Sequence, residues 1–205
     1  AQKKLEENSD YYNILNIGND NIIGYIKIPK INVNLPIYHG TSDEVLSVGV
    51  GHVYNSSLPI GGINTRSVLT GHRGLPNAKL FTRLDEIVEG DLFFVRIQDK
   101  TLAYKVNNIE VIEPEDIDAV NIIEGKDLVS LITCTPYGIN THRLVVTGER
   151  VPYEPSEYES IESNRMSNRE ILFASIPFIF LTLAVVLKLS DKRRKEREGH
   201  EVKED

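Results

Sequence analysis

The chain has 205 residues, 40% of them hydrophobic and 26% charged, with a formal net charge of −7, a single cysteine and no tryptophan. That length holds one ordinary domain plus appendages, and one thiol excludes both an intramolecular disulfide framework and a multi-cysteine metal site. The last 18 residues carry seven Lys/Arg and six Asp/Glu, a net of +1, so residues 1–187 sum to −8; an acidic body argues against nucleic acid as a partner, because displacing counterions from phosphates needs a cationic face.

Residues 1–20 form an N-terminal segment, and residues 21–153 read as a β-rich domain. The runs IIGYIKI, VNLPIY, SVLT, DLFFVRI, TLAYKVNNIEVI, LVSLITC and RLVVTGERV follow in order. Several alternate apolar and polar residues as half-buried strands do. Turn signals separate them at Ile60-Gly61-Gly62, Glu89-Gly90-Asp91 and Tyr137-Gly138. A short helical turn is expected at SDEVLS, with Ser42 as cap and Asp43 and Glu44 in its first turn. A longer helix is predicted over 76–88, opened by Pro76, striped by Leu80, Leu84, Ile87 and Val88, and ended by Gly90. Seven or eight strands with few helices predict a closed β-barrel or a sandwich.

Beyond this domain, residues 154–170 are polar, acidic and rich in Ser and Glu, the composition of a tether. The stretch ILFASIPFIFLTLAVVL, residues 171–187, is uncharged. With Lys188 snorkelling at its edge it predicts a transmembrane helix over 171–190, and Pro177 is tolerated in such a helix. The basic cluster Lys192–Arg197 then assigns residues 191–205 to a cytoplasmic tail and the β-domain to the outside.

Cys134 ends one apolar run, and Arg143 opens the next after eight intervening residues, so a hairpin could set them side by side. A lone cysteine is most often a small buried hydrophobe. As a thiolate beside His or Arg it is a nucleophile. Of the five histidines, His72 closes the run SVLTGH and opens a Gly- and Pro-containing loop, where catalytic groups are commonly presented. The Cys–Arg spacing is too long for the phosphate loop of a cysteine phosphatase, and His72 precedes Cys134, the reverse of the papain order. His39 and His52 have no spacing that suits a metal.

The segments LTGHRGLPNAKLFTRLD and SLITCTPYGINTHRLVVTGER, together with NLPIYHG, GVGHVYNSSLPIGG and EPEDI, resemble the sortases, and in particular their class C, pilus-assembling branch. The resemblance spans about residues 21–153. It implies an eight-stranded β-barrel with a few short helices, followed by the C-terminal transmembrane helix. It implies that His72, Cys134 and Arg143 are the catalytic trio, with Thr133, Thr135, Pro136 and Tyr137 shaping the substrate site, and that neither metal nor organic cofactor is used. The activity implied is membrane-anchored transpeptidation in a Gram-positive cell-surface setting. An LPxTG-like sorting signal would be cut between Thr and Gly through a thioester and joined to a pilin lysine. The implied partners are pilin subunits with C-terminal sorting signals. Ser130 stands where the family commonly has Thr. Class C enzymes often carry an N-terminal lid with an Asp-Pro-aromatic motif; residues 1–20 contain no proline and would be a lid remnant, any such motif lying upstream of Ala1 or being lacking. Two other readings stay open: a housekeeping sortase whose acceptor amine belongs to a peptidoglycan precursor, and a non-catalytic, membrane-tethered β-domain for adhesion or scaffolding.

Overall fold

Buried apolar side chains, alternating in some strands and continuous in others, build the strands of the computed structural model, which describes residues 9–16, 20–76, 78–156 and 168–201. Strand β1 (Ile22–Ile28) sends Ile26 and Ile28 inward and leaves Tyr25 exposed. Partial alternation recurs along β2 (Val33–His39) and β6 (Lys100–Ile112), whereas β5 (Leu92–Ile97), β7 (Asp127–Thr135) and β8 (His142–Val151) carry continuous buried runs such as Leu128–Leu131 and Leu144–Gly148. With β3 (Val50–His52) and β4 (Thr65–Thr70) they close an eight-stranded barrel in the order β1-β2-β3-β4-β7-β8-β6-β5. Two neighbouring pairs, β2–β3 and β4–β7, are parallel. Apolar side chains fill the interior, among them Ile26, Ile37, Leu69, Phe81, Leu84, Phe93, Val95, Tyr104, Leu131 and Val146. Burying such side chains is the main favourable term of folding, at about 25 cal/mol per Å² removed from water.

The seven expected strands are all present. β3 lies within a glycine-containing stretch of three residues, too short to show a period. The turn at 42–49 forms as expected. Helix α2 (Asp43–Val48) is capped by Ser42, whose hydroxyl accepts a hydrogen bond from the Val45 N–H at 3.4 Å.

The helix expected over 76–88 does not form. The only helical piece described there is a 3₁₀ turn, Leu84–Glu86. The reason lies in where the backbone bonds go: the Phe81 N–H donates to the His72 carbonyl at 3.1 Å, and Thr82, Leu84 and Glu86 bond three residues back. An α-helix would need each N–H to reach four residues back. Leu80, Leu84 and Ile87 are buried as the stripe suggested, but Val88 is exposed.

A short helix that the sequence did not betray, α1 (Ser9–Asn13), brings Tyr11 onto the barrel. The Tyr11 hydroxyl lies 2.8 Å from His52 Nδ1 and accepts from the Gly40 N–H at 3.0 Å. On its other side His52 Nε2 lies 2.9 Å from the Ser57 carbonyl, which can only accept. The neutral His52 tautomer with its proton on Nε2 therefore satisfies both ends, Nδ1 accepting from the tyrosine. His39, also buried, meets Tyr11 edge to face at 4.8 Å. Burial pushes the Tyr11 phenol up to about 12 and both imidazoles below their ordinary value.

The second unit, Met166–Asp205, contains α3 (Asn168–Glu201). Its stretch Ile171–Ser190 is 20 residues of mean hydropathy 2.3. At ~1.5 Å per residue that is about 30 Å, the thickness of a bilayer's hydrocarbon core. This one helix could span a membrane. Most of the tether expected at 154–170, and residues 1–8 of the expected lid remnant, lie outside the described residues.

The histidine cluster predicts a pH dependence. Folded-state pKa values below the ordinary ~6.5 mean that the unfolded chain takes up protons first. The neutral histidines' contribution is therefore complete above that pH and is lost as the pH falls toward the folded-state values. The unfolding midpoint is expected to fall between pH 7 and pH 5, and His52→Gln, although less stable at pH 7, is expected to flatten that slope. Thermal unfolding followed by circular dichroism across the range checks this; equal slopes would contradict it.

Candidate active site

Parallel pairing of β4 with β7 runs from Thr65 beside Asp127 to Thr70 beside Ile132. The contact continues one residue further. The Gly71 N–H donates to the Ile132 carbonyl at 3.1 Å, and the Thr133 hydroxyl donates to the Gly71 carbonyl at 2.8 Å. With both backbone groups of Gly71 held by β7, the next residue, His72, is delivered level with Cys134. A side chain at Gly71 would be crowded, because a Cβ there would stand 3.0 Å from the ring of fully buried Phe81, which would have to give by a few tenths of an ångström. Phe81 is in turn bonded through its N–H to the His72 carbonyl, so core packing and loop path are set together.

On the other side of β7, Cys134 pairs directly with Arg143 of β8, and Thr135 with His142. Directly opposed residues of an antiparallel pair project from one face with Cβ atoms roughly 5 Å apart. The connecting turn is closed by the Pro136 carbonyl, which accepts from the N–H groups of Ile139 and Asn140 at 3.1 and 2.9 Å. Cys134 is a free, half-buried thiol. The segment just past β4, with β7 and β8, thus brings His72, Cys134 and Arg143 to one end of the barrel. The guanidinium of Arg143 is steadied by its own turn, Nη1 donating to the carbonyls of His142 at 3.0 Å and Asn140 at 3.4 Å.

The other residues expected at the site divide by depth. Thr133 is only 1% exposed and its hydroxyl is spent on Gly71, which makes it part of the scaffold beneath the thiol. Thr135 is half-buried, and Pro136 and Tyr137 are exposed on the turn. His39 and His52 belong to the Tyr11 cluster described above. Among the described residues no group of three or more His, Cys, Asp or Glu side chains could hold a metal ion.

Two features escaped the sequence reading. Arg73, the residue after His72, is buried and bonded to Asp85. His142, the neighbour of Arg143, lies 3.2 Å from the Glu113 carboxylate, linking the loop after β6 to the turn after β7. Only the adjacency of Arg73 to His72 was visible in the sequence; the carboxylate partners of both residues are distant along the chain.

Residues 26–151 match the family model described as the sortase domain. The chain belongs to the sortase family. Among curated relatives, sortase D of Bacillus subtilis (strain 168) is 31% identical over 131 residues, which cover 62% of this chain and 63% of that protein. The chain thus spans less than two thirds of that relative's length. Among solved structures, sortase C-1 from Actinomyces oris is 51% identical with a TM-score of 0.68, covering 70% of this chain and 81% of its own. Sortase C1 of Streptococcus agalactiae is 48% identical with a TM-score of 0.70, covering 75% and 78%. In this sortase domain His72, just beyond β4, Cys134 on β7 and Arg143 on β8 all lie within the matched region.

The tight seat of Gly71 gives a test of how the site is built. Gly71→Ala is expected to lower unfolding free energy by about 1–3 kcal/mol, the usual cost of overpacking. In the double variant Gly71→Ala/Phe81→Leu, the smaller side chain makes room, so the combined loss should be less than the sum of the single losses. Denaturant unfolding of the four proteins measures the coupling; strict additivity would mean that Phe81 does not define the path of the His72 loop.

Proposed function

We propose that this sortase is a membrane-anchored cysteine transpeptidase of the pilus-assembling type, with Cys134 as nucleophile, His72 as acid and base, and Arg143 as electrophilic donor. The observation that carries this reading is the register: Cys134 faces Arg143 across β7–β8, while Gly71, clamped to β7 by both its backbone groups, delivers His72 on the opposite side. Identity near one half to structures of sortases C supports the pilus-type branch over the housekeeping alternative, and the apolar stretch Ile171–Ser190 supports the anchor.

The reaction follows from these roles. The Cys134 thiolate adds to the threonine carbonyl of an LPxTG-like sorting signal, and the charge moves to the carbonyl oxygen. An Arg143 N–H donor, fixed before reaction by the hydrogen bonds to its turn, stabilises that oxyanion. As the intermediate collapses, the Thr–Gly C–N bond breaks and the leaving amine takes the proton of the His72 imidazolium. A thioester remains on Cys134. A lysine amine of a second pilin then attacks it, passing a proton to neutral His72 while the C–S bond breaks and the thiolate returns. Tyr137 and Pro136, exposed beside the thiol, and Thr135 below them shape the approach of the peptide. The basic cluster Lys192–Arg197 supports a cytoplasmic tail and an outside barrel, where pilins and their acceptor amines would be met.

Incubating the full chain in detergent micelles with a pilin that bears a sorting signal tests this. A ladder of covalent multimers that Cys134→Ala abolishes is the expected result. Single pilins joined only to a peptidoglycan-like amine would favour the housekeeping reading, and activity that survives Cys134→Ala would exclude both.

Arg143→Lys separates two roles of the guanidinium. Lysine keeps the charge but cannot reproduce a planar fork of spaced donors. Turnover is expected to drop about 100-fold or more, as for loss of an oxyanion donor, with the rate of Cys134 alkylation changed much less. Near-normal turnover would show that Arg143 acts only as a diffuse positive charge.

A further inference from the structure

The side chain of Arg73 is only 2% exposed. A guanidinium so deeply covered is costly unless each face and edge finds a partner. Arg73 finds three, in two segments, the 3₁₀ turn and the end of β7 with the turn beyond it, while its Nε is left without a hydrogen-bond partner among the described residues. Nη2 donates to Asp85 Oδ2 of the 3₁₀ turn at 2.5 Å. Nη1 donates to Thr135 Oγ1, at the end of β7, at 3.4 Å. The guanidinium carbon lies 5.5 Å from the centre of the Tyr137 ring, on the turn beyond β7. The neighbouring Gly74 completes the fit. Its φ of +81° belongs to the left-handed region, and a Cβ there would stand 3.2 Å from the Tyr137 ring, so that ring lies over bare backbone.

Position along the chain gives these contacts their meaning. Arg73 follows His72; Thr135 and Tyr137 follow Cys134. The β4–β7 ladder ends at Thr70 and Ile132, and its extension ends with the Thr133–Gly71 bond. Beyond that point Arg73 binds the two diverging segments together, one residue past His72 and one past Cys134. Its side chain is buried behind these partners rather than exposed at the surface.

We propose that Arg73 is a positioning residue: with Asp85, Thr135 and Tyr137 it clamps the loop carrying His72 to the turn that follows Cys134, and so holds the imidazole at the distance from the thiol that both proton transfers require. This rests on the reading of His72 and Cys134 as a catalytic pair. Proton transfer and attack tolerate little misplacement; an error of about 1 Å costs on the order of 100-fold.

The test uses the full chain in detergent micelles, with Arg73→Gln, Arg73→Lys and Asp85→Asn beside the wild type. Three quantities are measured on each: kcat and KM for a sorting-signal peptide, the rate of Cys134 alkylation by iodoacetamide against pH, and the thermal midpoint. Arg73→Gln is expected to lower kcat about 100-fold, to leave KM nearly unchanged, and to shift the pH profile of alkylation. Arg73→Lys keeps the charge facing Asp85 but not the planar fork that also reaches Thr135 and Tyr137. It is therefore expected to recover only part of kcat. Should Arg73→Gln not fold, the same shifts in Arg73→Lys and Asp85→Asn decide. A lowered midpoint with wild-type kcat and alkylation profile would overturn the clamp, and so would full rescue by lysine. Alkylation needs no peptide, so the two readings fail separately. A wild type inert toward the peptide overturns the transpeptidase reading, while a shifted alkylation profile in Arg73→Gln still upholds the clamp. An active wild type with unchanged variants overturns the clamp alone.

Discussion

Everything at the active end of this barrel depends on one parallel strand pair. β4 and β7 run side by side for six residues, and the last bonds between them pass through Gly71. Parallel neighbours cannot be joined by a tight turn. The chain between them first adds β5 and β6 elsewhere in the barrel and then returns as β7, so histidine and cysteine come from distant parts of the sequence. The antiparallel partner β8 then closes the third side by a short turn. Cys134 flanked by His72 on one side and Arg143 on the other results from strand order and the Gly71 extension of the ladder.

The strands were legible because half-buried β-structure writes its alternation into the sequence; Tyr25, Ile26, Lys27 and Ile28 of β1 show it plainly. Residues 76–88 were misread because their apolar spacing is also that of a helix. The backbone path there is decided by a long-range bond, from the Phe81 N–H to the His72 carbonyl, and by a ring packed against Gly71. No local pattern reports either. The Tyr11 contact was illegible for the same reason: its partners, Gly40 and His52, lie 29 and 41 residues away.

The site was readable to a different depth at each position. His72, Cys134 and Arg143 stood out through motif and residue type. Ser130, which replaces the family's usual threonine, keeps a hydroxyl, and that hydroxyl lies 3.0 Å from Thr147 Oγ1 inside the barrel. The residue types permitted this buried pair, since either hydroxyl can donate, but only the register of β7 against β8 brings the two together. Arg73 and Asp85 were hidden because charged residues near loops are usually solvent-facing, and nothing in their spacing announces a buried pair.

The same topology orders events as the chain folds. Cys134 and Arg143 face each other as soon as one hairpin forms, across eight intervening residues. Thr133 meets Gly71 only when a loop of 62 residues closes. By chain entropy the longer closure costs about 2 kcal/mol more, since each doubling of loop length adds roughly 0.6 kcal/mol. A nascent chain with the hairpin alone therefore carries a thiol beside a guanidinium but no imidazole beside them. Under the proposed roles, competence is withheld until barrel closure brings the imidazole in, so activity would report completed folding.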